Sequence, residues 1–543
     1  MIRYIWGTTA GFRGRIAVSA SAGITRVVTG LIFVALSKRA VDLATGAASG
    51  NLTLCVVGMI TAIVVELLCA AIGNRTTELS EADMKNKLQE RLFTRLMTTT
   101  WNGNERFHSG ETLSRLTEDC RVAAECLCRT MPTVMIAAVQ LVGAFLFLWY
   151  FSPLLAITLI VILPIFFFAG KVFFRKMKVL TKRIRDIESR LQERMQESLQ
   201  HRILLITCRH INRTINAVTA LHHSRYSVIR RRANITMYSR TAVIAGFESG
   251  YLAAFLWGIT GLYRGTITFG MMTAYLQLAG QIQRPLAELA RLLPGLIQSH
   301  TAFSRIFEVE SLPSEEEYDE SAIDECNNPA GIAFRDVTFS YPGGDRPVLS
   351  HFSHTFAPRS KTAIMGETGV GKSTILRLIL ALLKPQEGDI EIIKDSDEDR
   401  SSAPISAITR SRIVYVPQGN SLLSGTIRYN LRTAKPDATD DEMYAALHDA
   451  AADFVKDLKF GLDTTCGEHG EGLSEGQAQR IAIARGLLCE GSILLLDEIS
   501  ASLDEETEKK LFSRLSSKRG THTIIFVTHR TGVLPYCDDT LTL

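Results

Sequence analysis

Several functional classes are set aside by what the sequence has little of. Ten cysteines are scattered over 543 residues, and none forms the C-x-x-C spacing of a zinc site or a redox dithiol. They read as reduced, packing thiols, so a disulfide scaffold is not implied. The tightest group, Cys126-Leu127-Cys128, lacks the His or Cys partners that a metal would need. Net charge is only +4, which by itself implies no nucleic-acid partner. The amino terminus, MIRYIWGTTAGFRGR, has no cleavage-site pattern, so the first apolar segment is expected to stay in the mature chain.

What is present is an uneven distribution of apolar residues. Hydrophobic residues make up 46% and charged residues 21% of the chain, a mixture that suggests membrane segments joined to soluble ones. The length suggests two or more domains. A bilayer crossing needs roughly 20 mostly apolar residues, and six candidates precede residue 300, at about 16–43, 51–74, 131–151, 153–175, 238–263 and 268–293. The outer connections are short, whereas 75–129 and 175–237 are long, polar and helical in pattern. These long connections carry most of the Lys and Arg, as in FFRKMKVLTKRIRD, which predicts that they and both termini lie in the cytoplasm. Apolar spacing persists through KNKLQERLFTRLM and RLQERMQESLQ, so the spans are expected to continue as helical hairpins beyond the bilayer.

The predicted membrane domain, 1–311, is followed by an acidic linker, 312–330, with the composition of a solvated connector. From Gly331 to the end, β-rich runs alternate with helices, which argues for an α/β domain over 331–543. Within it, the strand KTAIM runs into GETGVGKST, residues Gly366, Glu367, Thr368, Gly369, Val370, Gly371, Lys372, Ser373 and Thr374. The glycines let backbone N–H groups face phosphates, and the following helix adds a favourable dipole. Lys372 is expected to hold the β- and γ-phosphates of a nucleotide, with Ser373 on magnesium. Downstream, SILLLDE reads as a buried strand ending in two acids: Asp497 is placed for magnesium and Glu498 to polarise the attacking water.

In this order the motifs resemble those of the ATP-binding cassette (ABC) transporters, in the subgroup that fuses six spans to one cassette. Tyr341 in FSYPGG resembles the aromatic that stacks on adenine, and GETGVGKST the Walker A loop. Gln418 in VYVPQGNSLLSGTI resembles the Q-loop glutamine, which bridges the magnesium site and the membrane domain. Glu468 in CGEHGEG resembles the exporter loop that senses the helical hairpins. LSEGQ resembles the signature, LLLDE the Walker B strand, and His529 in FVTHR the switch histidine that contacts the γ-phosphate. The resemblance implies an α-helical six-span membrane domain of exporter type (type IV) followed by an α/β P-loop NTPase cassette, with ATP and Mg2+ as cofactors. It further implies a dimer in which Lys372, Asp497, Glu498 and His529 of one cassette face Ser474 and Gly476 of the other across ATP. The expected activity is ATP-driven transport of a small molecule, peptide or lipid across a bacterial cell membrane, most simply export. Import or lipid flipping on the same architecture, and an ATP-gated channel or sensor, are the alternatives.

Two positions depart from the family pattern. Ala501-Ser502-Leu503-Asp504 stands where the family reads Ser-Ala-Leu-Asp, which puts one hydrogen bond across the dimer in doubt while Asp504 remains. Glu475 occupies a signature position that is usually glycine. Ser474 and Gln477 have capping-box spacing, so Glu475 falls in the first turn of a helix, where the dipole favours an acid by about 0.3 to 1 kcal/mol. Repulsion from ATP opposes this, so a tuned site with an outward glutamate is expected. A weakened signature raises the case for a heterodimer, but retention of Glu498 and His529 favours a homodimer.

In the membrane half, Arg26, Glu66, Glu248 and Arg284 are expected in one layer, roughly 22 to 26 Å from the outer ends of their spans at 1.5 Å per residue. They could line a polar cavity with Gln277 and Gln281, Glu248 being the leading substrate contact. Alternatively, Arg26 with Glu66 and Glu248 with Arg284 neutralise each other. Phe166, Phe167 and Phe168 are expected to face lipid or to pack.

Overall fold

The computed structural model describes residues 11–100, 109–315, 329–341, 346–367, 369–394, 402–419, 421–467, 472–517 and 522–543. The chain divides into two compact units, 1–93 with 109–310, and 94–108 with 311–543.

The first unit is helical. Its long elements are α1 (Arg13–Ala44), α2 (Leu52–Met97), α3 (Met131–Phe151), α4 (Pro153–Gln200), α5 (Ile211–Tyr263) and α6 (Phe269–Glu310). A helical run from Ser109 leads into α3 through π-turns at Arg115–Asp119 and Cys126–Thr130. Pro153 starts α4, directly after an extended Ser152, where its missing N–H costs no helical bond. With 46, 48 and 53 residues, α2, α4 and α5 far exceed the roughly 20 needed to cross a bilayer.

Arg13–Ala44, Leu52–Met97, Glu111–Phe151 and Ile211–Tyr263 are each long and apolar enough to cross a membrane. The sequence reading expects six such crossings, and among the described residues four helices meet that standard. In α4 the side chains of 159–175 lie outside the described residues, as do therefore those of Phe166, Phe167 and Phe168. In α6 the apolar run is broken by Gln277, Gln281, Gln283 and Arg284. The helices close on small and apolar side chains, with Ala144, Leu148, Ala254, Ala274, Tyr275 and Leu278 nearly inaccessible. Close backbone approach is built in at Gly270, whose N–H donates to Asp42 Oδ1 at 3.1 Å. A Cβ there would sit 2.4 Å from the same oxygen, as expected where helices must touch in lipid.

The second unit is α/β. Its elements in order are β1 (Ala330–Phe339), β2 (Leu349–Phe356), β3 (Lys361–Met365), α7 (Lys372–Ile379), β4 (Glu387–Lys394), β5 (Ser402–Pro404), β6 (Ile413–Val416), β7 (Gly425–Thr426), α8 (Ile427–Arg432), α9 (Asp440–Asp449), β8 (Thr465–Cys466), α10 (Glu475–Leu488), β9 (Ile493–Asp497), α11 (Glu505–Ser517), β10 (Thr523–Val527) and β11 (Asp539–Thr542). A five-stranded sheet has the order β11-β3-β10-β9-β6, with every pairing parallel. An antiparallel sheet has the order β2-β1-β4-β5.

Both faces of the parallel sheet are covered, so its strands are continuous apolar runs rather than alternating ones. Ile493 and Leu495 pack with Ile364, Ile375 and the antiparallel sheet. Leu494 and Leu496 face the other way, onto Ile481 and Ile483 of α10 and Phe512 of α11. The second unit also takes in the end of α2. There Thr99 pairs with Ser314, the Thr99 hydroxyl donates to the Pro313 carbonyl at 2.8 Å, and Arg410 grips Glu315 through both terminal nitrogens at 2.6 and 2.9 Å.

Candidate nucleotide site

The carboxyl ends of β3, β6, β9 and β10 all open on one edge of the sheet, where ligands gather in parallel α/β folds. β3 delivers the phosphate loop. Gly369 and Gly371 there have φ of 93° and 113°, a left-handed conformation that glycine adopts without steric cost. Lys372 is buried, and its ammonium donates to the Gly366 carbonyl at 2.6 Å. Ser373 follows on the exposed side of the first turn of α7. Thr374 Oγ1 lies 3.3 Å from the Tyr341 hydroxyl, which also receives Arg377 Nη1 at 2.9 Å. Tyr341 is therefore fixed against the phosphate-loop helix through its hydroxyl, with its ring edge-on to Phe339 at 5.0 Å. Thr368 lies outside the described residues.

β9 ends in the two acids. Asp497 is buried, and burial pushes its carboxyl above the usual range; the Tyr415 hydroxyl, Lys372 and Arg377 pull it back, while Glu498 adds to the rise. Tyr415 donates to Asp497 Oδ2 at 3.2 Å and is itself pushed up to about 12, first by burial and then by Asp497. Glu498 has φ of 46°, a strained conformation for a side-chain-bearing residue of the kind that collects at functional sites. Its N–H still reaches the Val527 carbonyl at 2.8 Å, which locks the turn to β10. The carboxylate so presented receives Gln418 Nε2 at 2.6 Å and lies 3.6 Å from His529 Nδ1. Three elements thus converge on one carboxylate, an arrangement suited to orienting and deprotonating a water.

The signature segment forms a true capping box. Gln477 N donates to Ser474 Oγ at 3.2 Å, and Ser474 N donates to Gln477 Oε1 at 2.9 Å. Glu475 is the first residue of α10 and its side chain is exposed. Gly476 is buried, because a Cβ there would stand 2.8 Å from the Ser502 carbonyl oxygen. Asp504 caps α11 by accepting from Thr507 N at 3.0 Å. Glu468 lies outside the described residues.

The membrane-half candidates are not brought together. Arg26 lines a cavity of about 310 Å³ with Asn74, Thr77, Glu78 and Arg129, and Glu66, Glu248, Gln277 and Gln281 are not among its walls. Gln277 donates to Ser37 Oγ at 3.2 Å and Gln281 to the Gly30 carbonyl at 3.3 Å; both therefore tie α6 to α1. Glu248 is exposed on α5. The neutralising pairs do not form: among the described residues, no ion pair joins Arg26 to Glu66 or Glu248 to Arg284. Residue counting sets a position along a helix but not the direction a side chain faces.

Tyr415, Arg377, Gln479 and Arg530 were not singled out in the sequence, although each makes contacts at or beside the site. Tyr415 alone carried a local signal, as the polar residue of an otherwise apolar β6.

Two family models match the chain: the ABC transporter transmembrane region over residues 16–286 and the ABC transporter cassette over 349–501. The chain belongs to the ABC transporter family. It is similar to the uncharacterised ABC transporter ATP-binding protein YknV of Bacillus subtilis, with 28% identity over 84% of this chain and 75% of the relative. It is also similar to the ATP-dependent lipid A-core flippase of Escherichia coli K12, with 27% identity over 99% of this chain and 92% of the relative. In fold it matches a bacterial Atm1-family ABC exporter solved with ATP bound, at a TM-score of 0.81 and 24% identity, covering 98% of this chain and 94% of that one. This ABC transporter is accordingly a multi-pass membrane protein that couples ATP hydrolysis to transport, with an exporter-type helical domain and an α/β nucleotide-binding cassette.

Proposed function

We propose that the chain is a half-transporter that works as a homodimer and exports its substrate, with each ATP held between two cassettes. The reading is carried by one observation: the Glu498 carboxylate, set in a strained turn, is engaged by Gln418 and lies beside His529. In this reading Lys372 holds the β- and γ-phosphates, Tyr341 supports the base, Glu498 takes the proton of the attacking water, and His529 orients the γ-phosphate. Ser474 and Gly476 present the amino terminus of α10 to the partner's nucleotide. Because one chain carries both halves of the composite site, two copies suffice.

The oxygen donors Ser373, Asp497 and Gln418 suit magnesium, a hard cation. The fit is supported by Asp497, whose charge is disfavoured by burial and would be favoured by a dication. Magnesium supplies charge neutralisation on the phosphates when bound. The Lys- and Arg-rich connections 75–129 and 175–237 support cytoplasmic termini, and the expected membrane is the bacterial inner membrane.

The substrate class consistent with the relatives is a lipid or small molecule. Likeness to a lipid A-core flippase along nearly the whole chain makes lipid movement the reading to test beside export of a soluble compound. Reconstitution into vesicles answers both. ATP added to outward-facing cassettes should drive a fluorescent lipid or an amphiphilic dye to the far leaflet or lumen, and Glu498→Gln should abolish it. ATP turnover with no vectorial movement of either probe class would count against a transporter of lipids or amphiphiles, and movement toward the cassette side would overturn export.

A further inference from the structure

The segment after β9, residues 501–504, carries Asp504 and is held from two sides, by Arg530 and by α10. On one side, Arg530 directly follows His529. Its Nη2 donates to the Ala501 carbonyl at 2.9 Å and its Nη1 to the Leu503 carbonyl at 3.2 Å. The same guanidinium lies 3.8 Å from Glu508, a buried carboxylate on α11 that sets its direction. On the other side, Ser502 Oγ donates to Gln479 Oε1 at 3.2 Å, and the Ser502 carbonyl abuts Gly476. Gln479 is 1% exposed, and its amide nitrogen has no hydrogen-bond partner among the described residues. Ser502 therefore provides the bond that fixes that side chain. Three consecutive residues are thus tied to two partners, Ala501 and Leu503 to Arg530 and Ser502 to Gln479 of α10.

We propose that Arg530 is a positioning residue for hydrolysis: with Ser502 it braces residues 501–504 between the switch histidine and the signature helix. The proposal rests on the dimer reading, in which Ser474 and Gly476 face the partner's ATP. A shift of His529 on the γ-phosphate of its own site is then passed through Arg530 to 501–503, and through Ser502 and Gly476 to α10. The serine displaced to position 502 bonds within its own subunit, so it couples the 501–504 segment to α10 of the same cassette. A guanidinium can hold two carbonyls at once in a fixed fork, whereas an ammonium is a point charge with a looser grip. Ala501 is exposed, so water can replace a lost donor there; losing Arg530 should disorder the loop more than it destabilises the fold.

The test uses the purified full-length chain in lipid nanodiscs, with ATP hydrolysis and thermal unfolding measured together. Arg530→Met should lower kcat about tenfold, leave KM for ATP within about twofold, and leave the melting temperature within about 2 °C. Arg530→Lys should recover kcat to within about threefold of the unaltered chain, and Ser502→Ala should lower it about threefold. Unchanged kcat in Arg530→Met overturns the proposal. So does a fall in kcat matched by a fall in melting temperature and not relieved by Arg530→Lys, because Arg530 would then merely prop the fold. If the unaltered chain hydrolyses no ATP, the transporter reading fails before the brace is tested.

Discussion

In the cassette, Asp497 is buried yet receives the Tyr415 hydroxyl, and Glu498 is gripped by Gln418 beside His529. In the membrane helices, Arg26, Glu66, Glu248 and Arg284 stand without an ion-pair partner among the described residues. A parallel sheet brings the ends of β3, β6, β9 and β10 to one edge, so any polar residue at a strand end is delivered to the same place. A bundle of helices gives no such guarantee, since each helix rotates to bury its own apolar stripe. The cassette chemistry is therefore preassembled, whereas the membrane charges are not paired with one another among the described residues.

The sharpest way to break this contrast is at Glu498. Glu498→Gln keeps the shape and removes the base, and ATP turnover should fall by about a hundredfold or more. Gly476→Ala forces a Cβ to within 2.8 Å of the Ser502 carbonyl; the backbone must give way, and steady-state turnover should drop by about tenfold or more. Tyr415→Phe removes the donor to a buried carboxylate and should raise the magnesium requirement or lower kcat roughly tenfold, read from a magnesium titration of ATPase activity. On the membrane side, Glu248→Gln should leave basal hydrolysis unaltered and reduce substrate stimulation about threefold, measured with each compound found to stimulate. Unchanged stimulation for every such compound would rule out Glu248 as a substrate contact. The smallest effect belongs to Glu475→Gly, which should raise ATP affinity or turnover by about twofold by removing an acid near the partner's nucleotide.

The ordered motifs were legible because each occupies a strand end or a helix start that declares itself locally: KTAIM before the glycines, ILLLD before Glu498, and Ser474 three residues before Gln477. The left-handed φ of Glu498 was not legible, because it is imposed by the Val527 carbonyl from a strand some thirty residues away in sequence. Arg530 was hidden for the same reason, its acceptors being backbone carbonyls that carry no sequence signature. The inward turn of Ser502 depends on Gln479 and could be seen only once α10 was packed against the sheet. In the membrane half, counting residues gives Arg26 and Glu248 a position along their helices, but their partners depend on helix rotation. Gln277 and Gln281, expected to face a cavity, instead bond to α1.

Hydrolysis separated from binding bears most directly on the role of Glu498. ATP binding and ATP turnover measured on the same purified full-length Glu498→Gln sample should show binding retained and turnover at about 1% or less of the unaltered chain. Turnover that persists, or binding lost in step with turnover, would contradict the assignment of Glu498 as the base of a preassembled site.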